Sequence, residues 1–273
     1  MVKECILRFE NVSMHFDGDD APAVDNVSFD LQAGETIVIV GAAGSGKTVL
    51  LKLALGLLQP TSGRIFLFGR EVTGFREQEW YDVRAQAGVL FQEGGLFDSL
   101  NIEENVSYPL LNQKAISISP GDVRKRVEEV LQFVGLAGTL EKFPSELSGG
   151  MRRRVGIARA TVTEPRLVLY DSPTAGLDPI TANRIVALLL KERQLRNTAS
   201  IIVTHRFQDG HMLASFCYNP QTEKVLKVSK GEQQLHPTRF FVMRDGQIAF
   251  NGTERELEAS TESYISKFTM QRA

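Results

Sequence analysis

The chain has 273 residues, 42% of them hydrophobic and 23% charged, and a net charge of -2 at pH 7. That is an ordinary soluble composition with room for a sizeable core, and its charge balance argues against non-specific nucleic-acid binding as the main activity. Two cysteines, Cys5 and Cys217, lie far apart and outside any C-x-x-C spacing, which excludes a disulfide framework and a cysteine zinc site and points to a reduced compartment.

The N-terminal stretch MVKECILRFENVSM alternates charged and apolar residues and lacks the apolar centre of a signal peptide. Residues 3–10 and 26–31 read as short alternating strands. TIVIV, 36–40, is continuously apolar, as in a sheet covered on both faces. A glycine loop and a helix follow. The longest apolar run, VLLKLALGLL at 49–58, is half a membrane span and contains Lys52, so it reads as a buried helix. If the protein works at a membrane, another chain crosses it. RIFLF, 64–68, is a further strand before Gly69-Arg70, and 77–87 reads as helical.

From about 98 to 150 the pattern turns helical, and the inserted subdomain, with its signature helix, is taken to run over about 98–160. In DVRKRVEEVLQFVGL, 122–136, Val123, Val127, Val130, Leu131 and Val134 recur at helical spacing until Gly135. The α/β pattern resumes with RLVLY, a helix over about 180–195, and SIIVT. Residues 207–240 read as an extra surface segment, with a polar strand pair or a loop over 216–240. FFVMRDGQIAF, 240–250, reads as a hairpin turning at Asp245-Gly246, and the tail 253–273 as helical. Each motif below occurs once, so 1–273 reads as one nucleotide-binding domain.

GAAGSGKT, 41–48, fits G-x-x-x-x-G-K-[ST] with a strand before it and an apolar helix after it. Gly41, Gly44 and Gly46 let the backbone curl so that successive N–H groups face one anion. The helix start adds its positive dipole end. Lys47 is expected to bridge the β- and γ-phosphates and Thr48 to ligate Mg²⁺. Ala42, Ala43, Ser45 and Val49 complete the ATP-binding set.

LSGGM, 147–151, precedes an arginine-rich helix, so Ser148, Gly149 and Gly150 make a second anion site beside Leu147 and Met151. Asp171 closes a buried strand, where a carboxylate suits Mg²⁺. It also suits a turn cap in Asp-Ser-Pro. His205 ends SIIVTH, where it can bond a γ-phosphate or position water. Gln92, in LFQEGG, is a candidate for Mg²⁺ and water contact.

Together these residues resemble an ABC-transporter ATPase subunit over residues 3 to about 206. GAAGSGKT looks like its Walker A, Gln92 sits at the Q-loop, and LSGGM is similar to the LSGGQ signature with Met151 for Gln. LVLYD resembles Walker B, Ala175, Gly176, Leu177 and Asp178 the D-loop, and His205 the switch histidine. Phe16 lies where the family has its adenine-stacking aromatic. A narrower resemblance, carried by FQEGGLFDSLNIEENVSYPL, PSELSGGMRRR and PTAGLDPIT, is to the ATPase subunits of Mla/Mce-type lipid transporters.

The resemblance implies an α/β P-loop NTPase core with a mixed, largely parallel sheet, an N-terminal antiparallel β-subdomain and the helical insertion. It implies ATP and Mg²⁺ as cofactors and a location on the cytoplasmic face of the membrane. Its implied partners are integral-membrane permease subunits and a head-to-tail mate, either a second copy or a related ATPase chain. The permease is expected to dock near 93–110, and the narrower resemblance adds a lipid-binding Mce-type subunit. No nucleic acid is expected.

Ser172 departs from the family, which usually has a general-base Glu there. A hydroxyl can bond a water but cannot hold its proton near neutral pH, and losing a general base costs on the order of 10²- to 10⁴-fold. Phosphoryl transfer leans more on positioning and charge, so hydrolysis is expected to be slow but not absent. A degenerate half of a heteromeric pair, an engineered change and an ATP-gated binding module remain open. A soluble ABC-type ATPase of translation or DNA maintenance fits less well, because the chain has one domain, no heptads and no cysteine cluster.

Overall fold

The structure is a computed structural model that describes residues 4–91, 94–113, 116, 118–228 and 236–269. Its strands are β1 (Cys5–Met14), β2 (Val24–Gln32), β3 (Thr36–Gly41), β4 (Ser62–Leu67), β5 (Arg70–Glu71), β6 (Ala87–Leu90), β7 (Leu167–Asp171), β8 (Ala199–Val203), β9 (Phe216–Asn219), β10 (Lys224–Lys227), β11 (Thr238–Arg244) and β12 (Gln247–Gly252). Its helices are α1 (Lys47–Ala54), α2 (Glu77–Arg84), α3 (Ile102–Asn112), α4 (Pro120–Phe133), α5 (Gly149–Thr161), α6 (Pro179–Arg196), α7 (Phe207–Ser215), α8 (Glu254–Glu258) and α9 (Ser263–Thr269).

The central sheet runs β12-β11-β3-β8-β7-β6, parallel except for the β12 edge. An antiparallel sheet, β2-β1-β4-β5, packs with α1 and α2 on one face, and α5, α6 and α7 pack on the other. The period-2 geometry of a strand assigns each residue to one face. Ile37, Ile39, Leu169 and Ile201 join the core beneath the antiparallel sheet. Val38, Val40, Tyr170 and Ile202 join the core beneath the helical insertion. Both faces are apolar, which is why these strands read as unbroken hydrophobic runs. The fold is thus the expected P-loop α/β core with its mixed sheet and β-subdomain.

The insertion consists of α3, α4, a short 3₁₀ turn at Pro144–Glu146, and α5. On α4 the spaced residues Val123, Val127, Val130 and Leu131 are all buried, and Gly135 beyond its end has φ +68°. The β11–β12 turn has Asp245 at φ +48° and Gly246 at φ +78°, a left-handed pair that suits a two-residue hairpin.

Several boundaries differ from the sequence reading. β1 extends to Met14 because a bulge near Val12 resumes its pairing with β2 after the alternation breaks. The apolar run 49–58 is helical only to Ala54, and Leu57 beyond it is 48% exposed. Strand β6 and helix α7 carry too few periodic residues to be read alone. The polar segment after 216 forms the β9–β10 strand pair.

Candidate functional site

The carboxyl ends of β3, β8 and β7 lie side by side, with Ile39 opposite Val203 and Val203 opposite Asp171. In an open α/β sheet this edge is where ligands bind. Two backbone bonds tie the edge together: the Ser172 N–H donates to the Val203 carbonyl at 2.8 Å, and the Thr204 N–H donates to the Ile39 carbonyl at 3.1 Å. From β3 the chain enters the glycine loop and then α1. Gly46, which caps α1, has φ +96°, and a Cβ there would meet the Ala23 carbonyl at 2.2 Å, so only glycine fits.

One cavity of about 350 Å³ opens at this edge, lined by the loop residues from Ala43 to Val49 and by Asp171, Ser172, Val203, His205 and Ala23. Lys47 is buried, and its Nζ donates to the Gly41 carbonyl at 3.0 Å, the Ala42 carbonyl at 2.7 Å and Ser45 Oγ at 3.2 Å. Thr48 Oγ1 donates to Asp171 Oδ2 at 3.0 Å, and Ser172 Oγ donates to Asp171 Oδ1 at 3.3 Å. Ser172 is buried in the left-handed region at φ +51°, on the turn that closes β7.

Burial disfavours the charged forms of both basic groups in the cavity. Burial lowers the Lys47 ammonium pKa, with Asp171 pulling the other way. Burial, and next the Lys47 charge, lower the His205 imidazole pKa, against a smaller pull from Asp171. A neutral imidazole can donate from one nitrogen and accept at the other. Behind His205, Thr174 and Thr204 hydroxyls both donate to Asp209 Oδ2, at 2.5 and 2.7 Å. This buried brace joins the turn after β7 to the end of β8 and the start of α7.

The signature residues lie elsewhere. Ser148 caps α5, its Oγ accepting from the Met151 N–H at 3.2 Å. Asp178 caps α6, accepting from the Ile180 and Thr181 N–H groups, each at 3.0 Å. A cavity of about 460 Å³ joins the two caps, lined by Ser148, Gly149, Gly150, Met151, Gly176, Leu177 and Asp178, with Arg154 and Arg184 at its side. Leu147 is buried beneath it. Arg153 Nη2 donates to the Ala175 carbonyl at 3.2 Å and so ties α5 to the D-loop stretch.

The structure therefore brings Lys47, Thr48, Asp171, Ser172 and His205 to one cavity and the signature and D-loop residues to another. Phe16 lies between β1 and β2, 38% exposed, and does not line the first cavity. Gln92 lies outside the described residues. Sequence reasoning missed Ala23 and Val203, which line the cavity; nothing in their residue types marks them.

The chain matches the ABC transporter family over residues 24–175. It is 40% identical to the probable ribonucleotide transport ATP-binding protein mkl of Mycobacterium leprae, over 66% of this chain and 52% of that protein. It is 41% identical to the methionine import ATP-binding protein MetN of Carboxydothermus hydrogenoformans, over 68% and 54%. The chain thus spans about half the length of these two relatives. It is 33% identical to the intermembrane phospholipid transport system ATP-binding protein MlaF of Haemophilus influenzae, over 87% of this chain and 92% of that protein. Among solved structures, the ATP-binding cassette MJ0796, a dimer in a post-hydrolysis state bound to ADP and Pi, superposes with a TM-score of 0.74 at 26% identity, covering 91% of this chain and 98% of that one.

Proposed function

This chain belongs to the ABC transporter family, and we propose that it is the ATP-binding and ATP-hydrolysing energy-coupling subunit of a transporter. The observation that supports this most is the single cavity holding Lys47, Thr48, Asp171 and His205. Its dimensions and charge suit the phosphates of a nucleotide. Loop N–H groups and the α1 dipole receive the phosphate oxygens. Lys47, resting on loop carbonyls, exchanges them for β- and γ-phosphate oxygens.

The Thr48 hydroxyl and the Asp171 carboxylate, 3.0 Å apart, are hard oxygen donors. They would hold a magnesium ion, and Gln92 is the further candidate ligand that the sequence offers. A magnesium ion held by Thr48 and Asp171 would supply charge neutralisation at the phosphoryl group. Neutral His205 orients the γ-phosphate or the attacking water. Ser172 offers a hydrogen bond but no base, so we assign slow hydrolysis to this chain's own site.

The second cavity, with two helix N-termini and no lysine, serves the nucleotide of a mate in a head-to-tail dimer. Whether the mate is a second copy or a related chain bearing a base follows from Ser172 and is open to experiment. The stretch near 93–110 is the docking stretch we assign to an integral-membrane permease. Among the described residues no helix is long and apolar enough to cross a membrane. We place the chain on the cytoplasmic face of the membrane, held there by its permease.

For the cargo we favour a phospholipid or similar hydrophobic molecule, on the Mla/Mce-like stretches and on the relative from Haemophilus influenzae, which the chain spans almost fully. A lipid-binding Mce-type subunit is the matching further partner. The test is co-purification with a multi-span permease, followed by phosphate release with phospholipid, methionine or ribonucleotide added. Stimulation by phospholipid alone, lost in Lys47→Ala, is the expected result. Stimulation by methionine or ribonucleotide instead overturns the lipid reading, and failure to retain any permease overturns the transporter reading.

A further inference from the structure

We propose that Tyr264, on the C-terminal helix α9, is a positioning residue for the phosphate loop: it holds the peptide on which Lys47 rests. The inference builds on the reading of 41–48 as the nucleotide-binding loop.

Two hydrogen bonds carry it. The Tyr264 hydroxyl donates to the Met243 carbonyl, at the end of β11, at 3.0 Å. The same oxygen accepts from the Ala42 N–H at 3.3 Å. A phenol has one proton and free lone pairs, so both bonds coexist. The two partners, Ala42 and Tyr264, lie 222 residues apart in the chain.

The geometry of one peptide unit gives this contact its meaning. The Gly41 carbonyl and the Ala42 N–H belong to the same planar group, and in a trans peptide they point in opposite directions. Lys47 Nζ donates to that Gly41 carbonyl at 3.0 Å. The peptide is therefore gripped from both sides, by the ammonium on one edge and the tyrosine oxygen on the other. Turning it breaks both bonds. The loop also passes close to the end of β11, since a Cβ on Gly41 would meet the Met243 carbonyl at 2.5 Å.

The tyrosine is itself held. Its ring meets Phe268 edge-on at 5.3 Å, and the Arg244 guanidinium sits 5.3 Å from its centroid. Arg244 also pairs with Glu262 at 3.6 Å, just before α9. Ile265, the next residue, is buried in the helical core. The tail helix is thus docked by apolar contact and reaches the loop through one hydroxyl. Coupling of this kind is reciprocal. ATP that orders the loop must also steady α9, and releasing α9 must weaken ATP.

Tyr264→Phe is the clean test, since it removes the hydroxyl and keeps the ring, its packing and its cation contact. ATP affinity by calorimetry and amide hydrogen exchange at Ala42 and over 263–269 are measured on both proteins. The expected result is roughly two- to ten-fold weaker ATP binding in the variant, faster exchange at Ala42, and ATP-dependent protection of 263–269 that is present in the wild type and reduced in the variant. Equal affinity with unchanged exchange at Ala42 overturns the proposal while leaving the phosphate-loop reading intact. Weaker binding with unchanged exchange at Ala42 also overturns it, because the loss then comes from elsewhere. If the wild type binds no ATP, the phosphate-loop reading falls, and this proposal with it.

Discussion

The phosphate-loop cavity and the signature cavity are built in different ways. The first gathers at strand ends: Lys47 and Thr48 open α1 just after the β3 loop, Asp171 ends β7, and His205 follows β8. The second gathers helix starts, so what it offers is backbone N–H groups, the caps Ser148 and Asp178, and two arginines to one side. Among the described residues none lines both. The first has a lysine and a metal-suited carboxylate; the second has helix-start amides and, among the described residues, no lysine. Each has what the other lacks, which is the physical argument for pairing two chains head to tail.

Breaking the first cavity gives the largest expected effect. Among the described residues Lys47 is the one lysine or arginine lining it, and in Lys47→Ala phosphate release is expected to fall on the order of 10³-fold with ATP affinity also reduced. A steady-state assay beside calorimetry checks this.

Breaking the second cavity separates binding from turnover. A Cβ on Gly149 meets only Leu177 Cδ2 at 3.8 Å, ordinary contact, so the chain accepts a side chain there. Gly149→Asp puts a negative charge where a phosphate is expected. Turnover is expected to drop about 10²-fold while each chain still binds ATP. If turnover is unchanged, the signature cavity does not take part in catalysis.

A smaller effect sharpens the comparison from the far end of α6, whose start forms the second cavity. Glu192 is 1% exposed, and burial raises its carboxyl to about 7, against the pull of Arg196. The folded state then holds a proton that the unfolded state releases, so stability falls as pH rises from about 4.5 to 7 and is flat above. Glu192→Gln is neutral at every pH. Its melting temperature is expected to exceed that of the wild type by a few degrees at pH 8 and by less at pH 5, as a pair of thermal scans will show. A difference that does not change with pH rules out this titration.

Much of this architecture is legible in the residues themselves, for physical reasons. The glycine loop shows because its spacing is dictated by phosphate geometry, and Asp171 and His205 show because each ends an apolar run. The sheet makes neighbours of strands that are far apart in sequence, and alternation alone assigns Ile37 and Val38 to opposite cores. What stayed hidden depends on contacts that residue types do not announce. Ala23 meets the loop through its backbone carbonyl, which any residue carries. Tyr264 sits in a short tail helix whose register against Ala42 is set only when β11 and α9 are in place. Strand β6, four residues long, is too short for periodicity to declare it.

The proposed slow hydrolysis turns on Ser172, and one measurement addresses it directly: ATP binding and multiple-turnover phosphate release by the wild type and by Ser172→Glu. Ser172 lines the cavity, so the substitution places the carboxylate at the site itself. Equal ATP affinity in both, with phosphate release on the order of 10²-fold faster in the Glu variant, is the predicted result. Rapid release by the wild type, unchanged in the variant, contradicts it and assigns water activation to His205 or another group.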